Sequence, residues 1–206
     1  MIGRRRWFIV AGCAISSIAV LGGLRYSGGG VCVSGNCESG RGVMRFSDGG
    51  TYRGGFRDGE PYGPGIFQGP AGDRYEGTFR AGQRDGFGAY VYPDGSQYSG
   101  RFVANTKQGA GTFRWPDGTL LTATWRDGEP HGPGTLTLTD GQILRGEYRE
   151  GVVWSGAGIF IYDDGSRYVG EWKNGQRHGV GILLDKTGQT IHGGKWESDL
   201  WARDQP

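Results

Sequence analysis

The chain repeats itself at an interval of about 23 residues, and this period constrains its fold more than any other feature. With Tyr52 taken as position 0, the equivalent residues follow at intervals of 23, 23, 23, 23, 24 and 23 residues: Tyr75, Tyr98, Leu121, Leu144, Tyr168 and Ile191. A unit that recurs at a fixed interval indicates an array in which each copy packs on its neighbours. The sequence therefore predicts a repeat array.

Each unit begins with the pattern of a β-strand. Position +4 is aromatic in the first six units, and position +2 is glycine in all but one, where Ala123 replaces it: Gly54, Gly77, Gly100, Gly146, Gly170 and Gly193. A strand sends positions 0, +2 and +4 to one face. The glycine thus leaves a slot between two aromatic side chains, in which an aromatic ring from an adjacent strand can lie.

The second half of each unit reads as the returning strand of a hairpin. A turn glycine at +7 is followed by Gly-x-Gly, which we take as the start of the second strand, and the unit closes with Asp-Gly. Large side chains alternate after the glycines, which favours strand over helix. In the fifth unit the pair slips by one residue to Gly156 and Gly158, so an inserted residue is expected within 152–155, accommodated by a bulge or a longer turn.

The two ends of the array are incomplete. Residues 40–49 fit the second half of an earlier unit, so the array starts with a half repeat. At the other end His192, Gly194 and Trp196 fit the pattern if the register slips by one. Degenerate terminal units are expected where an array must cap a sheet edge.

Composition excludes two other glycine-rich classes. The chain has 44 Gly, but its 7 Trp, 10 Tyr and 9 Phe are incompatible with a flexible linker, and its glycines lack the three-residue period of collagen. Four of the 23 basic residues lie at the start (Arg4, Arg5, Arg6 and Arg25), which leaves 19 against 21 acidic ones. A near-neutral body argues against nucleic acid as the partner.

The first 25 residues predict a signal peptide or a signal anchor. A positive stretch, 1–6, precedes an uncharged run of 18 residues, 7–24. The positive-inside rule then places the array outside the cytoplasm, in the periplasm or at the cell surface. No clean Ala-x-Ala site follows, which favours an uncleaved transmembrane helix, with secretion after cleavage as the alternative.

Two special export signals compete with this interpretation. Residues 5–9 resemble the twin-arginine motif, and residues 10–13, ending at Cys13, resemble a lipobox. An ordinary anchor or signal is favoured over both.

A short tether with a cysteine pair, residues 26–37, follows. Cys32 and Cys37 lack the second cysteine pair or nearby histidine that a zinc site needs. Outside the cytoplasm a small disulfide loop is the favoured interpretation.

The clearest copy of the unit, Tyr168 to Gly181, has the pattern Tyr-x-Gly-x-Trp-x-x-Gly-x-x-His-Gly-x-Gly. This pattern resembles the membrane occupation and recognition nexus (MORN) repeat, and the resemblance covers about residues 38–200 of a repeat domain assigned to 38–206. It implies an all-β fold, an elongated, twisted, single-layer antiparallel sheet of successive hairpins. It also implies a scaffold that dimerises or binds protein partners, with phospholipid binding proposed for some members.

No catalytic, cofactor-binding or metal-binding site is predicted. The Gly-x-Gly pairs lack the third glycine of a dinucleotide loop. His131 and His178 occupy the same position two units apart, too far to share a metal, and the Asp-Gly pairs are explained by turn chemistry rather than calcium. The chain is therefore expected to be non-enzymatic.

The candidate interaction or core residues are the aromatic side chains at positions 0 and +4. They are Tyr52, Phe56, Tyr75, Phe79, Tyr98, Phe102, Trp125, Tyr148, Tyr168 and Trp172. A single-layer sheet cannot bury both faces, so an exposed groove would contact a protein or a second copy. Phospholipid or cell-wall glycan binding is the alternative.

Overall fold

The computed structural model describes residues 30–162 and 164–201, and in this part of the chain sixteen strands form one open antiparallel sheet in chain order. The all-β hairpin array is confirmed. The strands are β1 (Val31–Gly35), β2 (Gly40–Arg45), β3 (Thr51–Arg57), β4 (Glu60–Gln68), β5 (Arg74–Arg80), β6 (Gln83–Val91), β7 (Gln97–Val103), β8 (Thr106–Arg114), β9 (Leu120–Arg126), β10 (Glu129–Thr137), β11 (Ile143–Arg149), β12 (Val152–Ile161), β13 (Arg167–Lys173), β14 (Gln176–Leu184), β15 (Thr190–Glu197) and β16 (Leu200–Trp201).

The predicted N-terminal helix, residues 1–25, lies outside the described residues. Within 30–162 and 164–201, no helix has the length and apolar character needed to cross a bilayer.

Two kinds of turn join the strands. Within each hairpin a two-residue turn carries positive φ at both positions, as at Asp58 (53°) and Gly59 (76°). This is the geometry of a type I′ turn, whose twist matches that of the flanking strands. Between hairpins, the Asp94 carboxylate accepts the backbone N–H of Ser96 at 2.9 Å, and Gly95 has a φ of 87°. The Asp-Gly that closes most units is thus a turn signal.

From β2 to β8 the strand register aligns the glycines in one row across the sheet. Gly65 of β4 pairs with Gly54 of β3 on one side and with Gly77 of β5 on the other. The second strand starts earlier than its Gly-x-Gly suggested, because Arg57 pairs with Glu60 directly across the turn. A bulge between this pair and the glycines absorbs the extra residues of the second strand.

The fifth hairpin carries the predicted insertion. Strand β12 has ten residues, whereas the other second strands from β4 to β14 have nine. Ser155 pairs with Glu147 and Val153 with Tyr148, which leaves Trp154 as the bulged residue. The inserted residue expected within 152–155 is confirmed, and a bulge accommodates it.

At the start of the array, β2 lies within residues 40–49, which the sequence assigns to a half repeat. Gly42 of β2 pairs with Gly54, and Met44 pairs with Tyr52. Strand β1 precedes β2, pairs with it and lies within residues 26–37, the range assigned to the tether.

The register slip at the other end is likewise present. Gly194, rather than Gly193, pairs with Gly181, and Trp196 takes the place of the +4 aromatic residue. The two-residue strand β16 then covers part of β15.

Candidate functional site

Each regular repeat is built around one tyrosine that lies over two glycines. A Cβ atom added to either Gly77 or Gly88 would overlap the Tyr75 ring, and the same holds for Tyr52 over its own pair of glycines. Glycine is required at both positions because the ring occupies the space of their missing side chains. Tyr52 and Tyr75 are fully buried in consequence.

The rings of successive repeats touch one another in an unbroken series. We call this series the aromatic ladder; it runs in the order Phe56, Tyr52, Phe79, Tyr75, Phe102, Tyr98 and Trp125. Neighbouring ring centroids lie 4.8 to 5.2 Å apart and interplanar angles are 73 to 88°. Edge-to-face contacts of this kind contribute about 0.5–1.5 kcal/mol each beyond area burial. The ladder therefore couples each hairpin to the next.

The ladder tyrosines also satisfy their hydroxyl groups. The Tyr52 hydroxyl donates to the carbonyl oxygen of Gly55 at 3.0 Å, and Tyr75 donates to that of Thr78 at 3.2 Å. Burial raises the pKa of both phenols to about 12. These groups are neutral at any physiological pH.

All ten aromatic residues singled out in the sequence lie on this side of the sheet, and each is at most 6% exposed. Seven form the aromatic ladder. Tyr168 and Trp172 form a shorter series with Trp196, with ring centroids 5.2 and 5.3 Å apart, and Tyr148 lies between the two series. Their side chains form the core, and the exposed surface lies elsewhere.

Cations on the ladder face are used inside the array. Lys107 is 8% exposed, and its Nζ lies 4.4 Å from the Trp125 ring centroid. The Arg84 guanidinium donates to the side-chain and main-chain oxygens of Asn105 in the next hairpin, at 3.2 and 3.3 Å. The geometry of Arg177 with Asp199 repeats this clamp. These cations hold successive hairpins together.

The opposite side of the sheet, which we call the open face, carries the side chains at positions +1, +3 and +5 of each first strand. Burial alternates along β3, with Arg53 and Arg57 exposed between buried residues. In the described part of the sheet, ten exposed arginines occupy open-face positions: Arg41, Arg45, Arg53, Arg57, Arg80, Arg101, Arg114, Arg126, Arg145 and Arg149. The open face is thus rich in arginine.

Position +5 forms a regular row at one margin of the open face. It is basic in five of the first six repeats, and these residues define the cationic stripe: Arg57, Arg80, Arg126, Arg149 and Lys173. Val103 takes the place of the cation in the third repeat and is 40% exposed. All five cations are exposed.

The neighbours of the cationic stripe come from position +10 of the second strands. The Arg57 guanidinium lies 3.9 Å from the Tyr62 ring centroid, and that of Arg149 lies 4.4 Å from Trp154. Arg80 forms an ion pair with Asp85 at 3.6 Å. His131 and His178 occupy the same +10 position, four strands apart, which corresponds to about 19 Å.

Four members of the cationic stripe form no ion pair within 4 Å among residues 30–162 and 164–201: Arg57, Arg126, Arg149 and Lys173. Glu60 and Glu129 stand directly across the hairpin from Arg57 and Arg126. Other acidic side chains lie in the turns. Hydrogen bonds from Ser166 lower the pKa of Asp164, and those from Thr187 and Gln189 lower that of Asp185. The turn carboxylates therefore serve the backbone.

The cationic stripe was missed in the sequence because charge was judged as a total. A near-neutral body argued against a basic surface, whereas folding gathers ten exposed arginines on the open face, which they share with Glu60, Glu76, Glu129, Glu147 and Glu171. The signal was available: position +5 differs in parity from the aromatic +4, and it is basic in all but one of the first six repeats.

Cys32 and Cys37 form a disulfide in the structure. The bond joins β1 to the turn that precedes β2. Across the described residues, no group of three or more His, Cys, Asp and Glu side chains is placed to hold a metal ion.

The chain matches one family model, described as MORN repeat, at residues 38–51, 52–74, 75–97, 98–120, 122–143 and 168–190. These matches leave out 144–167, the unit that contains the bulged Trp154. A comparison with curated proteins gives no match.

Solved structures show only a distant likeness. The TCP10 domain of Danio rerio CPAP, in complex with a peptide of Danio rerio STIL, is 17% identical over 76% of this chain and 74% of that chain, with a TM-score of 0.37. The SAS-4 (dCPAP) TCP domain of Drosophila melanogaster, in complex with a proline-rich motif of Ana2 (dSTIL), is 15% identical over 81% and 90%, with a TM-score of 0.43. Both scores are below 0.5, so neither structure bears on function here.

Proposed function

The chain belongs to the MORN-repeat family, and from that premise we propose that it is a non-enzymatic scaffold that binds another protein through the open face of its sheet. The observation that carries this proposal is the contrast between the two faces. The ladder face is covered by its own aromatic side chains, whereas the open face exposes side chains along every repeat. A long surface of this kind suits an extended protein contact.

The polar groups support a binding role over a catalytic one. The Asp carboxylates of the inter-hairpin turns accept backbone N–H groups, as Asp94 and Asp117 do from Ser96 and Thr119 at 2.9 Å. The buried cations are engaged with rings and with the next turn. Exposed arginines are what distinguishes the open face, and arginine is enriched at protein interfaces.

Residues 1–25 hold the array at a membrane, with the sheet on the extracytoplasmic side. Arg4 to Arg6 and the uncharged run that follows support this part of the proposal. The Cys32–Cys37 bond also supports it, because disulfides persist in oxidising compartments outside the cytoplasm.

Site-specific photo-crosslinking in the native cell tests the proposal. A benzophenone amino acid is placed in the full-length chain at Ser99 or Thr122, both exposed on the open face, and at Asp140 in an exposed turn as the matched control. We expect a discrete protein adduct from Ser99 and Thr122 and not from Asp140. An adduct of twice the chain's mass identifies a second copy as the partner.

Equal adducts from all three positions, or none from the open face, would contradict the proposal.

A further inference from the structure

We infer that the cationic stripe binds an extended acidic segment of a partner protein, with one carboxylate seated at each basic repeat. This inference rests on the proposed function, since it names the chemistry of the partner. It starts from the spacing of the cationic stripe. Its members lie on the first strands of successive hairpins, two strand spacings apart, which corresponds to about 9.6 Å.

The guanidinium groups are available and oriented. Arg57 and Arg149 stack on Tyr62 and Trp154, which restricts the plane of each guanidinium. A planar guanidinium can donate two parallel hydrogen bonds to one carboxylate. Arg126 has no intramolecular ion pair in the described part of the chain. Among the described residues these cations form no ion pair within 4 Å, so their N–H donors are open to the carboxylates of an acidic ligand.

The distance between successive stripe cations determines how many residues separate the carboxylates of a matching ligand. An extended or polyproline chain advances about 3.1–3.4 Å per residue, so three residues cover one repeat. In the polyproline conformation every third side chain also points in the same direction. A segment with an acidic residue at every third position thus matches the cationic stripe, and the gap at Val103 calls for an uncharged residue there.

Two other polyanions fit less well. A nucleic acid carries one phosphate per 3.4 Å of strand, and the additional phosphates would meet Asp58, Asp127 and Glu150, each adjacent in sequence to a stripe cation. An anionic membrane is planar, whereas antiparallel sheets twist by roughly 20–25° per strand, which turns successive cations away from one plane. A flexible peptide can follow that twist.

The test uses synthetic peptides and the full-length protein. The probe is a peptide of about 15 residues with glutamate at every third position, long enough for five repeats at about 3.1 Å per residue. The control peptide has the same composition with its glutamates clustered. Affinities are measured by fluorescence anisotropy at low and at physiological salt.

The stripe variant carries Arg126→Glu, Arg149→Glu and Lys173→Glu. Its matched control carries Arg53→Glu, Arg101→Glu and Arg145→Glu, which make the same charge change on the same face outside the cationic stripe. We expect the stripe variant to weaken binding of the periodic peptide about tenfold or more, and the control variant to weaken it about threefold or less. Circular dichroism establishes that both variants are folded; if the stripe variant is not, Arg126→Ala with Arg149→Ala replaces it.

Equal weakening in both variants, or equal affinity for periodic and clustered peptides, would overturn the inference. The inference would also be overturned if the protein bound anionic phospholipid vesicles or single-stranded DNA but not the peptide, and if the stripe variant lost that binding. If the cellular adduct from Ser99 persists in the stripe variant, the inference fails while the proposed function stands. If the protein with an unchanged cationic stripe gives no adduct from Ser99 or Thr122, the proposed function itself fails.

Discussion

The first three repeats and the fourth and fifth repeats fill the same space in different ways. In the first three, each tyrosine at position 0 lies over two glycines and joins the aromatic ladder. In the fourth and fifth, Leu121 and Leu144 take that position, and the series of ring contacts is interrupted between Trp125 and Tyr168. The same hairpin is thus held by two kinds of packing.

The substitutions in the fourth repeat depend on one another. Ala123 replaces the usual glycine beside Leu121, where no tyrosine ring needs the space. The slot over Gly134 is filled by the Tyr148 ring of the next repeat. Among the residues that the structure describes, no group forms a hydrogen bond with the Tyr148 hydroxyl.

This comparison shows that the tyrosine and its two glycines act as one unit. Where the tyrosine is lost, a glycine can become alanine, a neighbouring ring can move into the slot, and a residue can be inserted at Trp154 without ending the sheet. A regular repeat sequence therefore indicates that the aromatic ladder is continuous, whereas the sheet persists even where the sequence is irregular.

Alkaline pH should destabilise the regular repeats, and this is the largest of the expected effects. Tyr52 and Tyr75 have a folded-state pKa of about 12, above the ordinary value of 10. Between these values the folded state binds more protons than the unfolded state, so stability is complete below pH 10 and falls as pH rises towards 12. We expect tyrosinate absorbance and loss of ellipticity to appear together in this range.

Tyrosinate absorbance from Tyr52 and Tyr75 at pH 10, without unfolding, would contradict the buried ladder. The leucines at position 0 of the fourth and fifth repeats have no group that titrates.

Truncation of a ladder residue should cost more than truncation at the interruption. Tyr75 is fully buried, and Tyr75→Ala should destabilise the protein by about 3–5 kcal/mol. Leu144 is only partly buried, and Leu144→Ala should cost about 2 kcal/mol, at the low end for leucine. Urea denaturation followed by tryptophan fluorescence compares the two. Equal costs would mean that the ladder adds nothing to side-chain burial.

Removal of single hydroxyl groups should give the smallest effects, of opposite sign in the two regions. The Tyr98 hydroxyl donates to the carbonyl oxygen of Arg101 at 3.3 Å, so Tyr98→Phe should cost about 0.5–1.5 kcal/mol. Tyr148→Phe removes a buried hydroxyl that has no partner in the described part of the chain, so it should be neutral or stabilising by up to about 1 kcal/mol. The melting temperatures of both variants measure this, and a clear loss for Tyr148→Phe would show that its hydroxyl is satisfied in solution.

Much of the fold was predictable because period-two alternation fixes which side chains share a face. Tyr52, Gly54 and Phe56 were placed together on that basis, and the displaced Gly156 and Gly158 revealed the insertion before Trp154 was seen as its bulge. The repeat period supplied the order of the strands, since consecutive hairpins pair with their neighbours.

What escaped prediction depends on contacts between repeats. Strand β1 has no counterpart in the repeat pattern, so only its pairing with β2 reveals it. From the sequence alone Lys107 would be predicted to be exposed to solvent, yet its Nζ lies over the rings of Tyr98, Phe113 and Trp125. The position of the Tyr148 ring over Gly134 of the preceding repeat could not be predicted from the sequence of one unit.

Hydrogen–deuterium exchange of the full-length protein, resolved by strand, tests most directly the claim that a tyrosine over two glycines holds each regular repeat. Local opening sets the exchange rate of buried amides. The account predicts that β11 and β12, where the ladder is interrupted and Trp154 is inserted, exchange faster than β5 and β6, where Tyr75 lies over Gly77 and Gly88. Equal protection, or slower exchange in β11 and β12, would contradict it.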